Sequence, residues 1–163
     1  MCEILYRGFH KDENGTEKVF INDKWVKGEW VYGYYIRYGW THQEKDYIVP
    51  LYASDLYAKE VIPETVGQST GLNDNNGKKI FEGDIVKIAY CFGWDTEQEK
   101  NVPEEEYISR VYSIDGCPFC VDLLHCDGDM SPIAWLDWSY ADAEIEVIGN
   151  IHNNLELLES KSK

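Results

Sequence analysis

Leu72-Asn73-Asp74-Asn75-Asn76-Gly77-Lys78-Lys79-Ile80-Phe81-Glu82-Gly83-Asp84-Ile85-Val86-Lys87-Ile88-Ala89 decides the fold class. Asn and Gly tolerate the positive φ that tight hairpins require, so Asn73-Asp74-Asn75-Asn76-Gly77 is the clearest turn in the chain. Ile80 resumes an apolar run, Glu82-Gly83-Asp84 bends it, and residues 85–89 form an apolar strand. The imperfect alternation there (Ile85 and Lys87 against Val86 and Ile88) predicts a strand covered on both faces. Upstream, Pro63 stops whatever precedes it, and residues 65–70 read as a short strand.

Working toward the N-terminus, residues 4–9 read as a strand ending in the turn Lys11-Asp12-Glu13-Asn14-Gly15, where Asn14-Gly15 is a hairpin signal. Residues 25–36 are dense in β-formers, and their glycines, Gly28 and Gly33, suggest bulges or turns that break the run. Residues 47–52 form another strand, with Pro50 arguing for an edge position, and residues 39–43 connect the two.

Toward the C-terminus, residues 95–106 hold six carboxylates and one lysine around Pro103, and read as a solvated acidic insertion. Two strands follow, residues 107–114 and 118–124, joined by Asp115-Gly116. Residues 144–151 close the β region, and Asn153-Asn154 caps a short helix at residues 155–158. The expectation is an all-β, or mainly β, chain with an N-terminal β region over residues 1–60 and a second region over residues 61–163.

Acidic residues number 30 against 15 basic ones, a formal charge of −15. Binding DNA phosphates takes clustered Lys and Arg, and the average field here repels a polyanion, which disfavours direct nucleic-acid binding. No stretch reaches the ~20 apolar residues of a membrane-spanning helix. The opening Met1-Cys2-Glu3-Ile4 lacks the basic and apolar regions of an export signal, so a cytoplasmic setting is expected. Five scattered cysteines then read as reduced thiols. Twelve tyrosines, six tryptophans and five phenylalanines exceed the needs of one small core, which leaves rings for a groove or an oligomer contact.

No motif carries a reaction. Cys117-Pro118-Phe119-Cys120 follows a hairpin turn among carboxylates, whereas a redox dithiol wants its first thiol at a helix N-terminus. As half of a zinc site it would need two further ligands, and His125 and Cys126 are sequence neighbours. Ordinary thiols are the better reading. His10, His42, His125 and His152 lie in or beside turns without metal-helix spacing. Asp127-Gly128-Asp129 opens like a calcium loop but lacks the closing Glu. The expectation is therefore no catalytic residue, no metal and no cofactor. Trp135 and Trp138 read mainly as core anchors, with a partner-binding surface as the functional alternative.

Four blocks resemble the YopX family. Ile4-Leu5-Tyr6-Arg7-Gly8-Phe9 is similar to its opening strand, and Trp25-Val26-Lys27-Gly28-Glu29-Trp30-Val31-Tyr32-Gly33 to its W-V-x-G segment. Ile62-Pro63-Glu64-Thr65-Val66-Gly67-Gln68-Ser69-Thr70-Gly71-Leu72, continuing through Asn76-Gly77-Lys78 to Val86, is the longest match. Ile145-Glu146-Val147-Ile148-Gly149-Asn150-Ile151, with Asn154 and residues 155–158, matches the closing motif. Ser69 departs from the pattern, where an aromatic is expected. The resemblance implies a phage or prophage protein of unassigned function, with short N-terminal strands packed with an SH3-like barrel and a short C-terminal helix. It carries over no catalytic residues.

The residues themselves read as architectural, with Arg7, Gln68 and Thr70 the polar candidates for binding alongside Trp135 and Trp138. The leading expectation is a non-enzymatic accessory protein that binds a host protein, with a homo-oligomer as a further expectation. An acidic decoy of a DNA-binding protein and a metal-dependent hydrolase or nuclease are the rivals.

Overall fold

The structure, a computed structural model, describes residues 5–39, 44–51, 57–89, 94–95, 100–101, 106–114, 117–122, 130–132 and 144–159. The chain divides into two compact units, Met1–Gly71 and Leu72–Lys163. Strands account for most of the described residues and the only α-helix among them is four residues long, so the protein is mainly β.

The first unit contains β1 (Tyr6–Lys11), β2 (Glu17–Ile21), β3 (Lys24–Tyr38), β4 (Lys45–Pro50), β5 (Lys59–Val61), a 3-10 turn at Pro63–Thr65, and β6 (Gly67–Asn73), whose last two residues belong to the second unit. The sheet runs β5-β4-β3-β1-β6, and β2 pairs with the first part of β3. Every pairing in it is antiparallel.

β3 is one continuous 15-residue strand, not the interrupted run that its glycines suggest. The glycines serve close approach instead. A Cβ on Gly28 would lie 1.9 Å from the His10 carbonyl oxygen, and one on Gly33 would lie 1.9 Å from that of Val49. Only a residue without a side chain lets those neighbouring backbones pass. β2 was not anticipated. It joins β3 through Asn22 and Asp23, both at positive φ (50° and 61°), the two-residue turn whose twist matches antiparallel strands. β4 is not the edge that Pro50 implies. It lies between β3 and β5, but β5 pairs only with Asp46, Tyr47 and Ile48, so Pro50 blocks no ladder bond to β5.

One side of this sheet packs Val31, Ile48 and Val61 with Tyr6, Tyr35 and Val66. The Pro63–Thr65 turn fastens β1: Phe9 N–H donates to Thr65 Oγ1 (2.8 Å), Thr65 Oγ1–H donates to the Ile62 carbonyl (2.6 Å), and Ile62 N–H donates to the Phe9 carbonyl (2.9 Å). Thr65 is thereby a buried hydroxyl with both roles filled.

The second unit contains β7 (Lys79–Phe81), β8 (Asp84–Ala89), β9 (Trp94–Asp95), β10 (Lys100–Asn101), β11 (Glu106–Arg110), β12 (Tyr112–Ile114), β13 (Cys117–Asp122), β14 (Met130–Pro132), β15 (Glu144–Asn150) and helix α1 (Glu156–Glu159). β8 is the centre of the sheet β11-β8-β15, β13 the centre of β12-β13-β14, and β9 and β10 form a two-residue ladder at the start of the acidic segment. Ile85, Val86 and Ile88 are fully buried, as expected of a strand covered on both faces. The core joins Ile80, Val86, Ile88, Val111, Val121, Ile145 and Val147, with Leu72 packed against it. Among the described residues neither three-stranded sheet is closed. The described strands do not close the SH3-like barrel that the family resemblance implies.

The turns of the opening stretch do their work through side chains. Asp74 is buried; its Oδ1 accepts from the amides of Asn76 (2.9 Å) and Lys78 (2.8 Å), and its Oδ2 from Val147 (3.0 Å). Asn75 exchanges hydrogen bonds with the Ile145 backbone, accepting through Oδ1 (2.6 Å) and donating through its amide (2.9 Å). Asp84 Oδ2 accepts from Phe81 N–H (2.8 Å), closing the bend at Gly83, whose φ is +82°. Near the end, Asn150 Oδ1 accepts from the amides of His152 and Asn153, so Asn150 holds the turn before α1.

Candidate functional site

Alternation along β3 sorts its side chains. Val31 and Tyr35 point into the first unit's core, while Tyr32, Tyr34, Ile36 and Tyr38 point the other way. Those four are 46%, 49%, 42% and 59% exposed. Register adds neighbours on the same face: Val49 lies opposite Tyr34 and Tyr47 opposite Ile36, both half-buried. The result is a strip of three tyrosines and an isoleucine at a spacing of about 7 Å between successive members. Rings of this kind combine a wide apolar face with a hydroxyl edge, which suits them to transient contact with another macromolecule.

Behind the strip, the inward face carries an ionic cluster built on a buried carboxylate and a largely exposed guanidinium. Asp46, 4% exposed, accepts from Arg37 Nε (2.8 Å) and from the Tyr35 hydroxyl. Burial pushes the Asp46 carboxyl up, but the hydrogen bonds from Arg37 and Tyr35 outweigh it and hold the carboxyl below its ordinary range. Burial, and then the bond to Asp46, raise the Tyr35 phenol. The cluster ties β3 to β4 where the strip is most exposed.

A second feature lies where β1 and β5 converge. His10, Lys11, Glu60, Val61, Ile62 and Pro63 line an open pocket of about 340 Å³. His10 Nδ1 sits 2.7 Å from the Glu60 carbonyl oxygen. A carbonyl only accepts, so Nδ1 carries the proton and Nε2 is the ring's remaining polar atom.

The structure disperses the residues singled out from sequence. Arg7 is buried, its guanidinium 4.9 Å from the centroid of Trp30. Gln68 lies opposite Tyr6, whose hydroxyl donates to Gln68 Oε1 (3.3 Å). Because Arg7 is opposite Gly67 in the same ladder, Arg7 and Gln68 are on opposite faces. Thr70 is half-buried in β6. Trp135, Trp138 and Asp127 to Asp129 are outside the described residues. Cys117-Pro118-Phe119-Cys120 opens β13, an extended strand and not a helix N-terminus. Among the described residues no group of three or more His, Cys, Asp or Glu is disposed to hold a metal ion, and no helix is long and apolar enough to cross a membrane.

Sequence reasoning passed over both features. The strip had a signal, the alternation Tyr32, Tyr34, Ile36, Tyr38 once Gly33 is read as part of the strand. The pocket had none, since His10 and Glu60 are joined only by the tertiary fold.

These observations define a class: a mainly-β protein whose motif side chains hold backbone together and whose longest strand exposes a strip of tyrosines. A family model described as YopX protein matches residues 5–159, and the chain belongs to the YopX family. It is 32% identical over 83 residues to the SPbeta prophage-derived uncharacterized protein YopX of Bacillus subtilis (strain 168), a match covering 51% of this chain and about half, 52%, of that relative. The structure is also similar to the crystal structure of protein EF1440 from Enterococcus faecalis, with 22% identity, a TM-score of 0.43, and coverage of 97% of this chain and 99% of that one.

Proposed function

We propose that this YopX-family protein is a non-enzymatic accessory protein of a phage or prophage, working in the host cytoplasm by binding another protein through the outward face of β3. The observation that carries this reading is the exposure of Tyr32, Tyr34, Ile36 and Tyr38 on one side of a strand whose other side is core. Apolar patches of this kind mark contact sites more often than they mark catalysis. The motif residues support the same reading, because Thr65, Asp74, Asn75 and Asp84 commit polar side-chain atoms to nearby backbone. The prophage origin of the Bacillus subtilis relative supports the setting.

A photo-crosslinking amino acid at Tyr34, introduced into the full chain inside host cells, tests the reading. One discrete protein adduct that disappears with Ile36→Asp supports it. An adduct between two copies assigns the face to a homo-oligomer. Crosslinking no greater than at an exposed control position such as Glu13 rejects it.

The uneven charge favours a second reading, the acidic decoy of a basic protein. Met1–Gly71 carries eight Lys and Arg against eleven Asp and Glu, and Leu72–Lys163 carries seven against nineteen. The decoy predicts capture of a basic protein that weakens steeply with salt and is indifferent to Ile36→Asp.

A further inference from the structure

In a chain of charge −15, the pocket between β1 and β5 stands out because the one carboxylate side chain among its lining residues is paired with a lysine. Glu60 lines it, and its Oε2 is 2.7 Å from Lys45 Nζ. Glu29, opposite His10 in the β1–β3 ladder, has its Oε1 2.6 Å from Lys59 Nζ. Lys11 lines the pocket and makes no ion pair among the described residues. Of the charged side chains that line the pocket, Glu60 is therefore paired and Lys11 is not. The His10 ring is anchored through Nδ1, which leaves Nε2 for a ligand or for solvent. Val61, Ile62 and Pro63 supply an apolar wall.

We infer that this pocket binds a carboxylate attached to a small apolar body. The ammonium of Lys11 pairs with the carboxylate, the His10 ring flanks it, and the Val61-Ile62-Pro63 wall takes the apolar part. A phosphate fits less well, because a dianion gains from clustered cations and this pocket is lined by a single lysine. About 340 Å³ is near the lower end of small-ligand pockets and matches one or two residues of peptide or a short acid. Two sources share this chemistry, the C-terminus of a peptide chain and a free short-chain carboxylic acid. The site is independent of the β3 strip, none of whose residues lines it.

Isotope-labelled full-length protein is titrated with acetyl-Val-Leu carrying a free carboxylate, with the same peptide as its carboxamide, and with hexanoate, while NMR follows His10, Lys11 and Val61. The free-carboxylate peptide, hexanoate or both should shift these signals saturably, and the carboxamide should bind about tenfold more weakly than its acid. Lys11→Gln should cost the acid a similar factor and Lys11→Arg should restore it. Both variants should keep the remaining amide spectrum, because Lys11 is exposed at the end of β1. Binding by the peptide acid alone identifies a chain terminus, and binding by hexanoate at equal or greater strength identifies a free acid. The proposal is overturned if acid and carboxamide bind alike, if Lys11→Gln changes nothing, or if no probe moves these signals.

Discussion

Asp74 Oδ2 accepts a hydrogen bond from the backbone amide of Val147 at 3.0 Å, joining positions 73 residues apart. The same carboxylate takes two amides of its own turn, so one buried side chain sets both the turn and the placement of β15 beside it. Asp74→Ala strands three amides and should lower unfolding free energy by about 3 kcal/mol, since a buried donor left unmet costs more than a typical bond returns. Asp74→Asn keeps one carbonyl-type acceptor and should cost roughly half as much. Urea unfolding of the two variants beside the parent measures both values.

Acid should act through Asp46. Its carboxyl is held below the ordinary range in the folded state, so its stabilising contribution is complete above about pH 3.9, the usual value in an unfolded chain, and fades as pH falls through the folded value. Tyr35→Phe removes one of the two donors, so the folded carboxyl rises toward the unfolded one; the stability lost relative to the parent is full above about pH 3.9 and shrinks across the acidic range below it. Carbon-detected titration of the Asp46 carboxyl, paired with melting across that range, reports both effects. An unchanged Asp46 midpoint in Tyr35→Phe would contradict the cluster.

Gly28→Ala and Gly33→Ala should each destabilise the first unit by about 2–3 kcal/mol, because the added methyl meets a neighbouring backbone oxygen that cannot rotate away. Gly77→Ala is the contrast. Space is open there, and the penalty of about 1 kcal/mol comes from positive φ alone. Thermal melts of the three variants separate the two causes.

The Asn22-Asp23 turn should tighten when Asp23, at φ +61°, is replaced by glycine, with a gain of a few tenths to about 1 kcal/mol. Asp23→Val should lose at least about 1 kcal/mol there, because a branched Cβ resists that conformation. Differential scanning calorimetry on the full chain decides the sign of each.

Much of the fold was legible where local chemistry and tertiary structure agree. Asn73 to Gly77 and Gly83 turn as their residue types demand, and Ile85, Val86 and Ile88 are buried as an apolar run predicts. Legibility failed where one residue type serves two purposes. Gly28 and Gly33 look like breaks in sequence but are points where another strand's carbonyl needs room, and only the neighbour reveals which. Asn22-Asp23 lacks the glycine that advertises a tight hairpin, so β2 went unseen. For the candidate site, the β3 strip was readable once β3 was continuous, whereas Arg7 misled because a guanidinium packed on Trp30 has the same letter as one facing a ligand.

The carboxylate of Asp74 carries a warning for genetics. Alleles recovered for lost phage phenotype will be enriched at Asp74, Asp84 and Thr65, because each such change lowers the steady-state amount of folded protein. Under the binding role proposed above, positions that select a partner are expected among alleles that abolish the phenotype while leaving cellular abundance intact.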